Sequence, residues 1–235
     1  MDNVRAENVR AGGRNRMSAK KLVMLAMLSA VAYVVMYLSK LIPINIIGFL
    51  NFDLKDVIIA IAGFIYGPLA AAGVSVVVSF IEMITISSTG PIGLIMNVLS
   101  TCAFICPAAY IYKKKSHDIR GAVKGLIIGA LLMTAVMLLW NYLITPIYMQ
   151  YPREQVAALL LPVFLPYNLV KAGINGTLTM LLYKPVVSSL RKAGLVEPSQ
   201  SSGGGAKRMG AGVVIIAAVL LITFVLLALV LAGII

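Results

Sequence analysis

The 235-residue chain is 60% hydrophobic and 12% charged, with a mean hydropathy of +0.97, against about 25% charged residues in ordinary soluble domains. This is the composition of a membrane protein. No polar stretch exceeds about 30 residues, too short to bury a core of its own, so a large soluble catalytic domain is excluded. The net charge of +12 would suggest nucleic-acid binding in a soluble protein, but here its placement marks topology instead.

Residues 1–20 read as a basic cytoplasmic tail, because the apolar run behind them is too long for a signal-peptide core and lacks a small-residue cleavage site. The first predicted span runs from about Leu22 to Ile42 and ends at Pro43, since proline disfavours helix at the residue before it. The stretch from Pro43 to Phe52 is apolar yet broken by Pro, Asn and Gly, which suits a re-entrant or capping loop. A short helix is expected from Asp53, read as its N-cap with Asp56 in the first turn, to Gly67-Pro68. Further spans follow at about Leu69–Ile86, Pro91–Tyr112 and Gly121–Thr145. A loop with Pro146, Tyr148, Tyr151 and Pro152 then leads to a short amphipathic piece. The sixth span is expected from Pro162 or Pro166 to Tyr183.

These elements give one membrane domain over 21–192. The stretch 193–210, with Ser201-Ser202-Gly203-Gly204-Gly205, is a flexible cytoplasmic linker by composition. Residues 211–235, polar only at Thr223, form a seventh transmembrane helix, read as an anchor or lipid-facing helix because it carries nothing to bind a polar ligand. The fold class is thus an all-α polytopic membrane protein. Lys and Arg cluster in the tail, between spans four and five, and after span six, while the opposite side carries Lys40, Lys55 and Arg153. The positive-inside rule therefore places the N-terminus in the cytoplasm.

Polar groups at membrane depth are costly, by about 2.5–3.5 kcal/mol for a central Lys or Asp on insertion scales, so each needs a reason. Asn168 and Lys171 are spaced i, i+3 and share a face of span six. Asn141 follows Trp140 in span five with Tyr142 and Tyr148 nearby, Glu82 is late in span three, and Asn97 is early in span four beside Gly93. All fall toward the outer half of the bundle. Glu82 has a competing reading as an ion pair with Lys171 or Lys55, Lys171 as a snorkelling lysine, and the aromatics as an interfacial belt. Jointly, amides, an ammonium and aromatics beneath an apolar loop describe a pocket for a flat, hydrogen-bonding solute.

Enzyme signatures do not appear in the sequence. It has no His-Glu-x-x-His and no phosphate-binding Gly-rich loop, so neither catalytic nor metal-binding residues are assigned. His117 sits in the basic loop, and Cys102 and Cys106 read as small buried hydrophobes. Small residues recur at Ala26 and Ala30, and at Gly121, Gly125 and Gly129, where such stripes let helix backbones approach. In span five this is read as internal packing. Span one is more open to an external partner.

Taken in order, Phe49 to Val57, Ala62 to Pro68, Pro91 to Asn97, Asn141-Tyr142 with Pro146 and Tyr148, and Pro166 to Lys171 resemble the substrate-binding S components of energy-coupling factor (ECF) vitamin transporters, in particular the riboflavin-specific type, over about Lys20 to Lys192. The resemblance implies a six-helix S-component bundle, here with one additional C-terminal transmembrane helix. It implies a non-enzymatic subunit of a bacterial cell membrane that captures riboflavin as transported substrate, with no cofactor and no nucleic acid. It further implies energy from a transmembrane T component and paired ATP-binding subunits. Flavin contacts would come from Leu50, Asn51 and Phe52 of the capping loop and from Asn141, Asn168 and Lys171, alongside Glu82, Gly93, Asn97, Trp140 and Tyr148 as candidate pocket residues. The Ala26-x-x-x-Ala30 stripe would dock on the T component. Competing readings are specificity for another vitamin or for FMN, a self-sufficient secondary carrier, and a scaffold without a solute.

Overall fold

The computed structural model describes residues 19–41, 45–46, 50–114, 119–196 and 210–234. The basic tail up to residue 18, His117 and the Ser/Gly-rich part of the linker lie outside them. Helix α1 spans Ala19–Lys40, and two short strands, β1 (Asn45–Ile46) and β2 (Leu50–Asn51), pair antiparallel in the loop that follows. Then come α2 (Lys55–Tyr66), α3 (Pro68–Thr85), α4 (Gly90–Lys114) and α5 (Ile119–Met149). Helix α6 (Arg153–Leu159) passes through a π-helical turn at Leu160–Phe164 into α7 (Leu165–Lys192), and α8 (Ala211–Leu231) follows the linker. Six helical stretches among the described residues are long and apolar enough to cross a membrane: α1, α3, α4, α5, the continuous α6 to α7 rod, and α8.

The exception, α2, organises the rest. Its residues from Ile59 to Phe64 are all buried, and it packs on α1, α3, α4 and α7, so a helix that is apolar all round beyond its charged first turn serves as the central post. With 12 residues it is about 18 Å long, against about 30 Å of bilayer hydrocarbon. The central post therefore stops short, and a space opens beyond its N-terminus.

Helices α4 and α5 approach each other closely. A Cβ on Gly125 would meet the Ala108 carbonyl oxygen at 2.8 Å, and one on Gly129 would strike the Phe104 carbonyl oxygen. The glycine stripe of span five is thus internal packing, as its spacing suggests. Ala26 and Ala30 are exposed on α1, whose Met24, Leu28, Ala32 and Met36 face inward.

Several expected boundaries move. Asp53 does not cap α2: the helix starts at Lys55 with Leu54 at the N-cap and no side-chain capping bond, because the Asp53 carboxylate is held by lysines instead. Helix α5 runs through Pro146 to Met149 rather than ending at Thr145. The sixth span starts at Arg153 and continues past Tyr183 through Pro185 to Lys192, the π turn absorbing Pro162. Cys102 and Cys106 are half-buried rather than core residues, and the Cys106 thiol donates to the Pro68 carbonyl.

Candidate substrate-binding site

The space beyond α2 is a partly open cavity, a concave site of the kind that small molecules use. It is lined by Leu50 and Asn51 of β2, Asp53, Glu82, the Ser87–Thr89 turn, Asn97, Asn141, Asn168 and Lys171, with Met96, Met137 and Tyr167 as apolar wall and Lys40 at the rim.

Charge in this cavity is organised in pairs. Lys171 Nζ lies 2.8 Å from Asp53 Oδ2, and Lys40 Nζ lies 2.7 Å from Glu82 Oε1. Lys55, 1% exposed, joins the two pairs at 3.0 Å from Glu82 Oε2 and 3.7 Å from Asp53 Oδ2. Asn97 Nδ2 also donates to Glu82 Oε2 at 3.1 Å. Burial opposes charge on Asp53, but the adjacent ammonium groups of Lys171 and Lys55 outweigh it and hold the carboxyl below the usual range. The second oxygen, Asp53 Oδ1, is buried without a hydrogen-bond partner.

Asn141 and Asn168 are each oriented by their own helix. Asn141 Nδ2 donates to the Met137 carbonyl at 2.7 Å while its Oδ1 accepts from the Thr145 hydroxyl at 2.9 Å. Asn168 Nδ2 donates to the Phe164 carbonyl at 2.7 Å, at the end of the π turn. The cap is tied down by α7: the Tyr167 hydroxyl donates to the Asn51 carbonyl at 2.7 Å, and Asn175 Nδ2 to the Asp53 carbonyl at 3.0 Å. The result is a partly open chamber lined by ammonium, carboxylate, hydroxyl and amide groups together with two thioethers and a phenol ring.

The family described as "ECF transporter, substrate-specific component" matches residues 20–183. The chain belongs to this family of ECF substrate-specific components. It is 33% identical over 189 residues to the "Riboflavin transporter FmnP" of Bacillus subtilis (strain 168), covering 75% of this chain and 98% of the relative. It is 29% identical over 184 residues to the "Riboflavin transporter RibU" of Staphylococcus aureus (strain TCH60), covering 76% and 96%. A solved structure titled "Structure and mechanism of the S component of a bacterial ECF transporter" aligns with a TM-score of 0.62 and 28% identity, over 73% of this chain and 98% of that one. The fold is accordingly a six-helix S-component bundle, formed by α1 to α5 and the α6 to α7 rod, with α8 added beyond the matched residues.

In this S component the cavity gathers Leu50, Asn51, Glu82, Asn97, Asn141, Asn168 and Lys171 from the residues singled out in the sequence. Four others lie off its wall. Phe52, just past the end of β2, turns toward α7 and packs on its apolar side, its ring 5.0 Å from that of Tyr167. Gly93 sits beneath the Ser87–Thr89 turn, where a Cβ would collide with the Thr89 hydroxyl, so it shapes the wall without facing it. Trp140 packs against the main apolar core, and Tyr148 is half-buried near the end of α5. Of the two partners weighed for Glu82, Lys55 is the one found, joined by Lys40, whereas Lys171 pairs with Asp53. The sequence alone marks Lys40 only as a charge on the cation-poor side and Asp53 only as a cap, whereas it offers Lys55 as a partner of Glu82. The available signal is their proximity: on the side sparse in cations, Asp53, Asp56 and Glu82 accompany Lys40 and Lys55.

Proposed function

We propose that this chain is the riboflavin-capturing S component of an ECF-type uptake transporter. The observation that carries the proposal is the pairing of a charge-balanced chamber with two pre-oriented amides. Lys40 and Lys171 against Glu82 and Asp53 leave the lining without net formal charge, which suits a neutral polyhydroxylated solute. Asn141, Asn168 and Lys171 offer donors and acceptors to a ribityl chain and ring edge, and Met96, Met137, Leu50 and Tyr167 offer a flat apolar contact. The names of the FmnP and RibU relatives support the same reading.

In this proposal the N-terminus is cytoplasmic, the lysine-rich ends of α4 and α7 lie on the same side, and the chamber opens outward beneath the strand cap. The subunit is not an enzyme. Energy comes from a T component and ATP-binding subunits, with the exposed Ala26 and Ala30 on the docking face of α1. The membrane domain 21–192, the linker 193–210 and the final helix divide the chain accordingly.

A fluorescence-quenching titration of the purified chain with riboflavin, FMN and unrelated vitamins tests the ligand. Saturable quenching by riboflavin at equimolar stoichiometry is expected, and its absence overturns the assignment. Vesicles holding this chain alone are expected to bind riboflavin without concentrating it. Uphill uptake driven by a proton or sodium gradient would establish the self-sufficient carrier instead.

A further inference from the structure

Helix α8 lies outside the family match, and its all-apolar sequence reads as a simple anchor. Its inward residues have a finer pattern. Ala217, Leu221, Phe224, Ala228 and Leu231 repeat at alternating steps of four and three, and all are buried or half-buried, the spacing of a helix-packing seam. Ile222, Val225 and Leu226 between them are exposed. The seam meets α7: Phe224 and Leu221 pack against Val170 and Ile174, and the Phe224 ring occupies the place of an absent side chain at Gly173, where a Cβ would meet ring carbons at 2.5–2.6 Å.

This contact continues to the cap. At the end of the seam, Leu231 and Ala232 pack against the cluster of Leu50, Val156, Phe164 and Tyr167, and Phe52 packs against that same cluster. Phe52 and Leu54 also pack against the Val170, Ile174 and Ala228 cluster. Helix α7 thus shows Asn168, Lys171 and Asn175 to the chamber and cap, and Val170, Gly173 and Ile174 to α8. We propose that α8 is an intramolecular buttress of the cap: seated on α7 and against the segment Leu50–Leu54, it holds that segment over the chamber and sets how long a bound solute stays.

The residence-time part of the proposal rests on the riboflavin reading, whereas the buttress itself does not, and the two are measured separately. Full-length protein in lipid nanodiscs is compared with three variants: Phe224→Ala with Leu231→Ala in the seam, Gly173→Leu, which drives a side chain into the Phe224 seat, and Ile222→Ala with Val225→Ala on the lipid side. Hydrogen exchange of residues 50–57 is read without solute, and riboflavin release by recovery of its fluorescence. Faster exchange at 50–57 and about fivefold faster release are expected in the first two variants and in neither respect in the third. If exchange is unchanged in both seam variants, or rises equally in the lipid-side variant, α8 is no buttress. Faster exchange with unchanged release overturns the residence-time claim alone. If wild type and variants all fail to bind riboflavin, the ligand assignment falls while the exchange arm still decides the buttress.

Discussion

Lys171 on α7 and Asp53 at the base of the cap are 118 positions apart in the sequence and meet at 2.8 Å inside the chamber wall. The pair ties the first connection to α7 and fixes the Lys171 side chain in the cavity lining. Both partners are buried. Removing one charge therefore leaves the other uncompensated in a poorly hydrated place, at about 3–5 kcal/mol. Asp53→Asn is expected to lower the thermal denaturation midpoint in detergent sharply and to weaken riboflavin binding. Adding Lys171→Met to Asp53→Asn should restore much of the stability and none of the binding. Equal stability of Asp53→Asn and wild type would show that the pair is dispensable.

Span positions were legible in the sequence because hydrocarbon thickness and backbone satisfaction dictate long apolar helices. The polar residues at depth were legible because each is costly there. Glu82, Asn97, Asn141, Asn168 and Lys171 all reach one cavity. The charge partners were harder to foresee. Asp53 has the sequence features of a helix cap, and only the fold brings it to Lys171 and makes the carboxylate a counter-ion. Phe52 lies just past β2, and its packing on Tyr167 of α7 is a tertiary contact that no local pattern specifies. The continuation of α5 through Pro146 likewise needed packing information, since local preference favours a break.

Asn168 has its amide nitrogen engaged by the Phe164 carbonyl at 2.7 Å, so its rotamer is set before any solute arrives. A ligand group left without a buried partner costs about 1–3 kcal/mol, corresponding to about five- to a hundredfold in affinity. Asn168→Ala is expected to weaken riboflavin binding by that amount with little change in stability, as read by fluorescence quenching. Asn141→Ala should weaken it comparably. It should also release Thr145, which bonds to the Asn141 side chain. Unchanged affinity in both folded variants would move the flavin site elsewhere.

The pairing of every lining charge bears on flavin phosphate. To engage a phosphate dianion, Lys40 would have to leave Glu82 at 2.7 Å or Lys171 would have to leave Asp53 at 2.8 Å, exposing a carboxylate to a second anion. FMN is therefore expected to bind at least about tenfold more weakly than riboflavin, a gap of about 1.4 kcal/mol. Glu82→Gln should narrow that gap by freeing Lys40. Competition titrations at two ionic strengths check both statements, since a phosphate contact near the rim should weaken with salt. FMN binding as tight as riboflavin in the wild type would show that one ion pair opens at little cost.

The face of α1 that carries Ala26 and Ala30 points away from the bundle, whereas Met24, Leu28, Ser29, Ala32 and Met36 hold the helix against the core. In lipid, helix association depends on close packing rather than on burial from water, and small side chains permit the shortest approach. Replacing Ala26 or Ala30 with Trp should leave the inner contacts of α1 intact and obstruct a partner helix. Riboflavin affinity in detergent is accordingly expected to match wild type, while uptake into cells carrying the complete transporter falls to background and the T component no longer co-purifies. Normal uptake in both variants would remove this face from the docking surface. Loss of flavin binding in detergent would mean that the tryptophans disturb the fold, because neither alanine lines the chamber.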